Sequence, residues 1–272
     1  MMEKILDTPC GEIHYWVNKI DNSTLSLILL PGLGFDHRLY DKQIEFFKDK
    51  YNILVWDAPG HASSYPFDFN FSMMDEAKWL NEIITIEDMN NIIFVGQSMG
   101  GYIAQAYLQL YPEKPLGFIS IDSGSLQRKY VNPFELFLNK WVTTPMKKWI
   151  PWDLRVNIDV KNMSDSEYGK QLILDFMLIY DEDIQSFIDL YEHANKIIVD
   201  SYEADLPYEI KCPTLLICGE NDTPYIKQNK KWSKDTGFKL EMIKDASNIA
   251  NADNPEIVNS LVDNFVKTIE VR

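Results

Sequence analysis

The sequence predicts an α/β fold: a mostly parallel sheet with helices on both faces and an inserted helical cap. Three observations carry this expectation. Short apolar runs bounded by turn residues alternate with helix-length segments. The runs in the middle of the chain are almost continuously apolar, as strands buried on both faces must be. One long stretch, 126–205, breaks the alternation, with amphipathic segments and no strand signal.

Taken in order, the predicted strands are 13–17, 25–30, 52–56, 92–95, 117–121, 214–218 and 239–243. Helices are expected between them at 39–48, 73–86, 100–111, 227–235 and 255–268, each with apolar residues at helical spacing. Within the interruption, amphipathic helices are expected at 133–141, 165–180 and 183–199. Aromatic residues are dense there, among them Trp141, Phe176 and Tyr180. The expected organisation is a core built from 1–125 and 206–272, with 126–205 inserted as a cap over the strand ends.

Composition narrows the function classes. A chain of 272 residues with 46% apolar content buries a sizeable core, enough for one large domain or one domain with an insertion. With 26 basic against 41 acidic residues the net charge is −15, and Lys147-Lys148 is the nearest thing to a basic cluster, so nucleic acid and anionic membrane surfaces are not expected partners. No apolar window has the length of a membrane span, and the first residues do not lead into a signal-type apolar region. A cytoplasmic location is expected, in keeping with three cysteines, Cys10, Cys212 and Cys218, that form no CxxC pair and read as buried thiols. No metal or cofactor is called for, and the chain is expected to be a monomer or homodimer.

The most informative segment is Ile92-Ile-Phe-Val-Gly-Gln-Ser-Met-Gly-Gly-Tyr102, an apolar strand leading through G-x-S-x-G into a helix. A serine at the tip of a sharp turn projects its hydroxyl clear of the sheet, and the residues two before and two after must be small, as Gly96 and Gly100 are. The Met99 amide then lies in the first helical turn, where free N–H groups favour a developing oxyanion. This arrangement resembles the nucleophile elbow of the α/β-hydrolase fold family.

The resemblance extends along the chain and implies further roles. Leu30-Pro-Gly-Leu-Gly-Phe35 resembles the family's oxyanion loop, which implies a second oxyanion donor at the Leu33 amide. Trp56-Asp-Ala-Pro-Gly-His61 resembles a turn in which Asp57 and His61 stabilise the loop rather than react. Cys212-Pro-Thr-Leu-Leu-Ile-Cys-Gly-Glu-Asn-Asp-Thr-Pro224 resembles the acid-bearing loop, making Asp222 the acid, with Asp122 at the alternative position some members use.

The family's base, a histidine, belongs just after the last strand and ahead of a final helix that often begins at proline. In Ile243-Lys-Asp-Ala-Ser-Asn-Ile-Ala-Asn-Ala-Asp-Asn-Pro255 that slot is filled by Asn248. An amide has no titratable nitrogen, so it neither takes the serine proton nor returns it. Of the four histidines, His37 and His193 are the candidates to approach the site as substitutes. The resemblance implies a serine hydrolase for carboxylic esters of small to medium apolar acyl groups, impaired by Asn248 whether through a natural or an engineered change. The competing expectation is a non-catalytic ligand-binding or signalling protein on the same fold.

Overall fold

A computed structural model of the chain describes residues 1–21, 23–134, 149–205 and 209–269. Among the described residues eight strands form a single sheet: β1 (Met2–Thr8), β2 (Gly11–Asn18), β3 (Ser26–Leu30), β4 (Asn52–Trp56), β5 (Ile92–Gln97), β6 (Gly117–Ile121), β7 (Thr214–Gly219) and β8 (Lys239–Ile243). Their spatial order is β1-β2-β4-β3-β5-β6-β7-β8. β1 pairs with β2, and β2 with β4, antiparallel; every later pairing is parallel.

The helices in chain order are α1 (Asp41–Phe47), α2 (Met73–Ile86), α3 (Met99–Leu110), α4 (Trp152–Met163), α5 (Glu167–Leu178), α6 (Ile184–Ala204), α7 (Thr223–Thr236), α8 (Ala250–Asp253) and α9 (Pro255–Lys267). Strand periodicity divides the core in two. Ile28, Leu54, Trp56 and Phe94 point to one face and pack with Leu80 of α2 and Ile103 and Tyr107 of α3. Leu27, Leu29, Ile53, Val55, Ile93 and Val95 point to the other and pack with Phe47 of α1 and Val258 and Val262 of α9. Both faces are covered, so the central strands have no polar side to show.

Helix termini follow local chemistry. Ser72 and Asp75 form a reciprocal capping box at the start of α2. Asn254 caps α9 by accepting from the Ile257 N–H, with Pro255 at its first position. The α3 start is different, because its N-cap is Ser98.

Between β6 and β7 the described residues form α4, α5 and α6 and no named strand, matching the break in the sequence pattern. α5 and α6 fall where the amphipathic segments 165–180 and 183–199 are predicted. The segment predicted at 133–141 lies from residue 135 onward outside the described residues, as does Trp141. α6 bridges the two cores, with Phe187 and Leu190 in one and Ala194, Ile197 and Tyr202 in the other. α4 was not legible in the sequence, because its only fully buried residue is Arg155 and its apolar spacing is weak. β1 was missed for a related reason: only Leu6 is buried, and its pairing with β2 defines it.

Candidate active site

Ser98 sits between β5 and α3 at φ 48° and ψ −116°, a conformation non-glycine residues rarely adopt. The turn closes tightly: Ser98 N–H donates to Ile121 O at 2.9 Å, and Gly101 N–H donates to Ser98 O at 2.9 Å. A methyl group on Gly96 would stand 2.6 Å from Gly100 O, and one on Gly100 would stand 2.0 Å from Leu30 O. Both glycines are therefore steric requirements. Met99 begins α3, so its N–H belongs to a first turn without intrahelical partners.

The loop after β3 packs directly on this turn. A Cβ on Gly32 would meet Gln97 Oε1 at 2.2 Å and Ser98 Cβ at 3.0 Å. Phe35 N–H donates to Gly32 O at 3.1 Å, closing a turn around Leu33 and Gly34, where Gly34 has φ +81°. The short parallel offset between β3 and β5 brings the Pro31-Gly32 loop and the elbow face to face.

Asp222 follows β7 and occupies the N-cap of α7, with 3% of its surface exposed. Asn248 follows β8, and its Nδ2 donates to Asp222 Oδ1 at 3.5 Å, the long limit of a hydrogen bond. Asp222 Oδ2 has no hydrogen-bond partner among the described residues. Burial pushes the Asp222 carboxyl up to about 7, and the Asn248 amide only partly offsets this. The Asn248 main chain is fixed from the elbow side: Gln97 Nε2 donates to Asn248 O at 2.6 Å.

Asp122, the alternative acid, is committed elsewhere. Its two oxygens accept the backbone N–H groups of Gly219 at 2.7 Å and Ala250 at 2.8 Å. It thereby ties the loop that leads to Asp222 to the loop that carries Asn248. Burial, with the Asp222 carboxyl adding to it, raises the Asp122 carboxyl.

The substitute histidines are held in other surroundings. His37 Nδ1 lies 2.8 Å from Asp57 Oδ1, and its ring stacks on Trp16 with centroids 3.7 Å apart. Burial opposes its protonation, but the Asp57 hydrogen bond and charge outweigh this and raise it. Trp16 belongs to β2, three strand spacings from β5 or about 14 Å. His193 lies between Phe69 and Phe71, with ring centroids 5.1 and 4.3 Å away, and its Nε2 has no partner among the described residues. Burial first, and Lys196 second, push it down to about 4, leaving it neutral. Asp57 holds its turn as the sequence implies, accepting from His37 N–H at 2.9 Å and Ser63 N–H at 3.1 Å.

Two sets of ligand-type side chains gather within 4.8 Å among the described residues: Asp36, His37 and Asp57, and Asp122, Cys218 and Asp222. In the first, Arg38 occupies Asp36 at 2.7 Å and backbone N–H groups occupy Asp57. In the second, the backbone occupies both Asp122 oxygens, and burial keeps the Cys218 thiol protonated. In the second set Asp222 Oδ2 alone is without a partner among the described residues, too few free donors for a cation.

The inserted helices reach these loops. Phe187 of α6 would touch a Cβ on Gly34 at 3.4 Å. Phe176 of α5 packs edge-on to Phe35 at 5.0 Å, and the Tyr180 hydroxyl accepts from Ala62 N–H at 3.4 Å. Phe176 and Tyr180, two of the three sequence-predicted cap candidates, are thus buried where inserted helices meet core loops, and the third, Trp141, lies outside the described residues. Sequence reasoning missed a polar fastening beside them. Asp253 accepts from Ser247 N–H at 2.9 Å, Asp165 N–H at 3.1 Å, and the Ser166 N–H and hydroxyl at 3.2 and 3.0 Å. Asp165 Oδ2 in turn accepts from Ser247 Oγ at 2.8 Å and Asn221 Nδ2 at 3.0 Å. The α4–α5 loop is so joined to the neighbours of both Asp222 and Asn248. A separate groove of about 350 Å³ between α4 and α5, lined by Trp152, Val156 and Met177 among others, includes none of these residues.

Comparison with known proteins bears on the fold. Residues 26–144 match the family described as alpha/beta hydrolase fold. An alpha/beta hydrolase enzyme, MGS-M2, from a Medee basin deep-sea metagenome library superposes with a TM-score of 0.80 over 99% of both chains at 17% identity. The chain has the α/β-hydrolase fold. An Exiguobacterium antarcticum esterase shares that fold at a TM-score of 0.75, with 17% identity over 94% of this chain and 96% of its own. In sequence, the chain is 24% identical over 264 residues to an Escherichia coli 2-hydroxy-6-oxononadienedioate/2-hydroxy-6-oxononatrienedioate hydrolase, covering 93% of this chain and 90% of that one. An Acinetobacter baylyi (E)-2-((N-methylformamido)methylene)succinate hydrolase is 30% identical over 77 residues, 28% of this chain, and the match spans 29% of that protein's length. Among the described residues no helix is long and apolar enough to cross a membrane.

Proposed function

We propose that this chain is a serine hydrolase for carboxylic esters of small to medium apolar acyl groups, with Ser98 as nucleophile, Asp222 as acid and residue 248 in the base position. The observation that carries this reading is the approach of Asn248 Nδ2 to Asp222 Oδ1 at 3.5 Å, on a loop whose main chain is bonded to Gln97 beside the nucleophile. Hydrolase and esterase relatives support a hydrolytic reaction. α4 to α6 act as a cap that bounds the acyl site.

In the reaction, Ser98 Oγ attacks the ester carbonyl while the Met99 and Leu33 amides hold the oxyanion, and an acyl-enzyme forms with loss of the alcohol. Asp222 orients an imidazole at 248 and stabilises its charged form. With asparagine in that position the proton has no acceptor, and loss of the base lowers turnover on the order of a millionfold in comparable triads. The chain as it stands is therefore a slow hydrolase with an assembled site.

The test is Asn248→His, assayed on short p-nitrophenyl esters. A gain of at least about a thousandfold over the parent is expected. A smaller gain sinks the reading. The second reading, a ligand-binding protein without turnover, is favoured by Asn248 itself and expects no labelling of Ser98 by a fluorophosphonate probe even in the Asn248→His variant.

A further inference from the structure

The residue before Ser98 reaches two loops at once. Gln97 ends β5, where it pairs with Ile121 of β6, and none of its surface is exposed. Its Nε2 donates to Asn248 O at 2.6 Å and lies 3.5 Å from Asn248 Oδ1. A carbonyl oxygen only accepts, so the amide nitrogen faces it and Oε1 turns away. Oε1 stands where a Cβ on Gly32 would come within 2.2 Å, and it has no partner among the described residues. One side-chain amide therefore spans from the oxyanion loop to the loop carrying residue 248, with the nucleophile next in the chain.

Neighbouring tethers hold other residues of the 248 loop. Ser247 N–H donates to Asp253 Oδ2 at 2.9 Å, and Ala250 N–H donates to Asp122 Oδ2 at 2.8 Å. Residue 248 hangs between these anchors, and the bond from Gln97 draws its carbonyl toward the elbow. A buried oxygen without a partner is costly, and a hydrocarbon side chain of the same size would avoid that cost. A hydrocarbon would not donate to Asn248 O.

We infer that Gln97 is a positioning residue of the reacting centre: its amide fixes the main chain of residue 248 against the elbow and, by packing on Gly32, couples that placement to the oxyanion loop. This deepens the ester-hydrolase reading and rests on it. Gln97 makes and breaks no bond with substrate. It acts by setting where an imidazole at 248 stands between Asp222 and Ser98.

The test is made in the Asn248→His background with Gln97→Met, which keeps the side-chain length and removes the donor. Turnover of p-nitrophenyl acetate falls about three- to tenfold, the worth of one hydrogen bond, while KM stays within about twofold. The acid limb of the pH profile moves to lower pH, because an imidazole drawn off Asp222 loses the carboxylate that favours its charged form. A residue that only filled space would leave that limb in place. Gln97→Asn, which withdraws the amide by one methylene, gives the same shifts if the methionine variant does not fold, and it makes room beside Gly32. In its presence Gly32→Ala costs at least about threefold less than it does alone. Unchanged turnover, an unmoved acid limb, or independent losses at 97 and 32 overturn the proposal.

The contact is also read without turnover. With 13C at the histidine carbonyls and 15N in isoleucine, the Asn248→His variant has one His-Ile pair, at 248–249, and so one correlation. Gln97→Met moves that carbonyl resonance upfield as the hydrogen bond is lost. An unmoved carbonyl overturns the placement of 248 by Gln97 whether or not Asn248→His is active. A moved carbonyl upholds that placement even where an inactive Asn248→His sinks the ester-hydrolase reading.

Discussion

Asn248 Nδ2 and Asp222 Oδ1 stand 3.5 Å apart, while the second carboxylate oxygen of Asp222 is buried without a partner among the described residues. An amide satisfies one edge of this carboxylate weakly, whereas an imidazolium at the same place would share its charge. In the Asn248→His background, Asp222→Asn should lower kcat about ten-thousandfold through loss of the imidazole's orientation. Steady-state kinetics on p-nitrophenyl acetate measures this, and a loss below tenfold would assign the acid role elsewhere.

Gly32 and Gly100 are both crowded, but against different atoms. A Cβ on Gly100 meets backbone, Leu30 O at 2.0 Å, whereas on Gly32 its closest neighbour is the end of the Gln97 side chain. Gly100→Ala should therefore compromise folding, seen as insoluble protein or a loss of several kcal/mol in urea unfolding, of order 3–5. Gly32→Ala should fold, yet cost the Asn248→His variant about a hundredfold in kcat by moving the oxyanion loop off Ser98. Equal effects at the two positions would contradict this division.

Asp253 gathers hydrogen bonds from Ser247, Asp165 and Ser166. Asp253→Ala leaves these donors without their acceptor, and a destabilisation of about 2–4 kcal/mol is expected in chemical denaturation. Because the fastening joins the α4–α5 loop to the loop that carries Asn248, limited proteolysis should also cut faster within 149–166 in the variant. Unchanged proteolysis would show that the inserted helices are held by their apolar contacts alone.

Glu76 on α2 is 1% exposed, and its Oε2 has no partner among the described residues. Burial, with Asp75 adding to it, pushes its carboxyl up to about 8. The folded state therefore keeps a proton that the unfolded chain releases near the ordinary glutamate value of about 4.3, so this residue makes stability fall as pH rises from about 4 to 8. Glu76→Gln removes that dependence. The variant's melting temperature relative to the parent should rise between pH 5 and pH 8.5, and a constant difference would refute it.

What the sequence made legible was what depends on local chemistry. The G-x-S-x-G turn announced the elbow because Gly96 and Gly100 are required by atoms close in the turn or on the next strand, and the final Asn254-Pro255 cap located the slot at 248. The strands of the central sheet were readable because burial on both faces leaves mostly apolar residues, with few exceptions such as Ser26 and Ser120. β1 and α4 were hidden, since one is defined by edge pairing and the other buries little. The fastening role of Asp253 and the clamping role of Asp122 were illegible, because each acts on groups brought near only by the folded chain. Asp122 in particular looks like an acid in sequence and acts as a backbone clamp in three dimensions.

The main chain of the loop at 248 is held at atoms that any residue would supply, Gln97 bonding its carbonyl and Asp122 the amide two residues on, while the Asn248 side chain adds two contacts at the 3.5 Å limit, from Gln97 and to Asp222. The scaffold therefore leans little on which side chain stands there. On the proposed hydrolase reading, one codon change at 248 would alter the chemistry of this centre with little repacking.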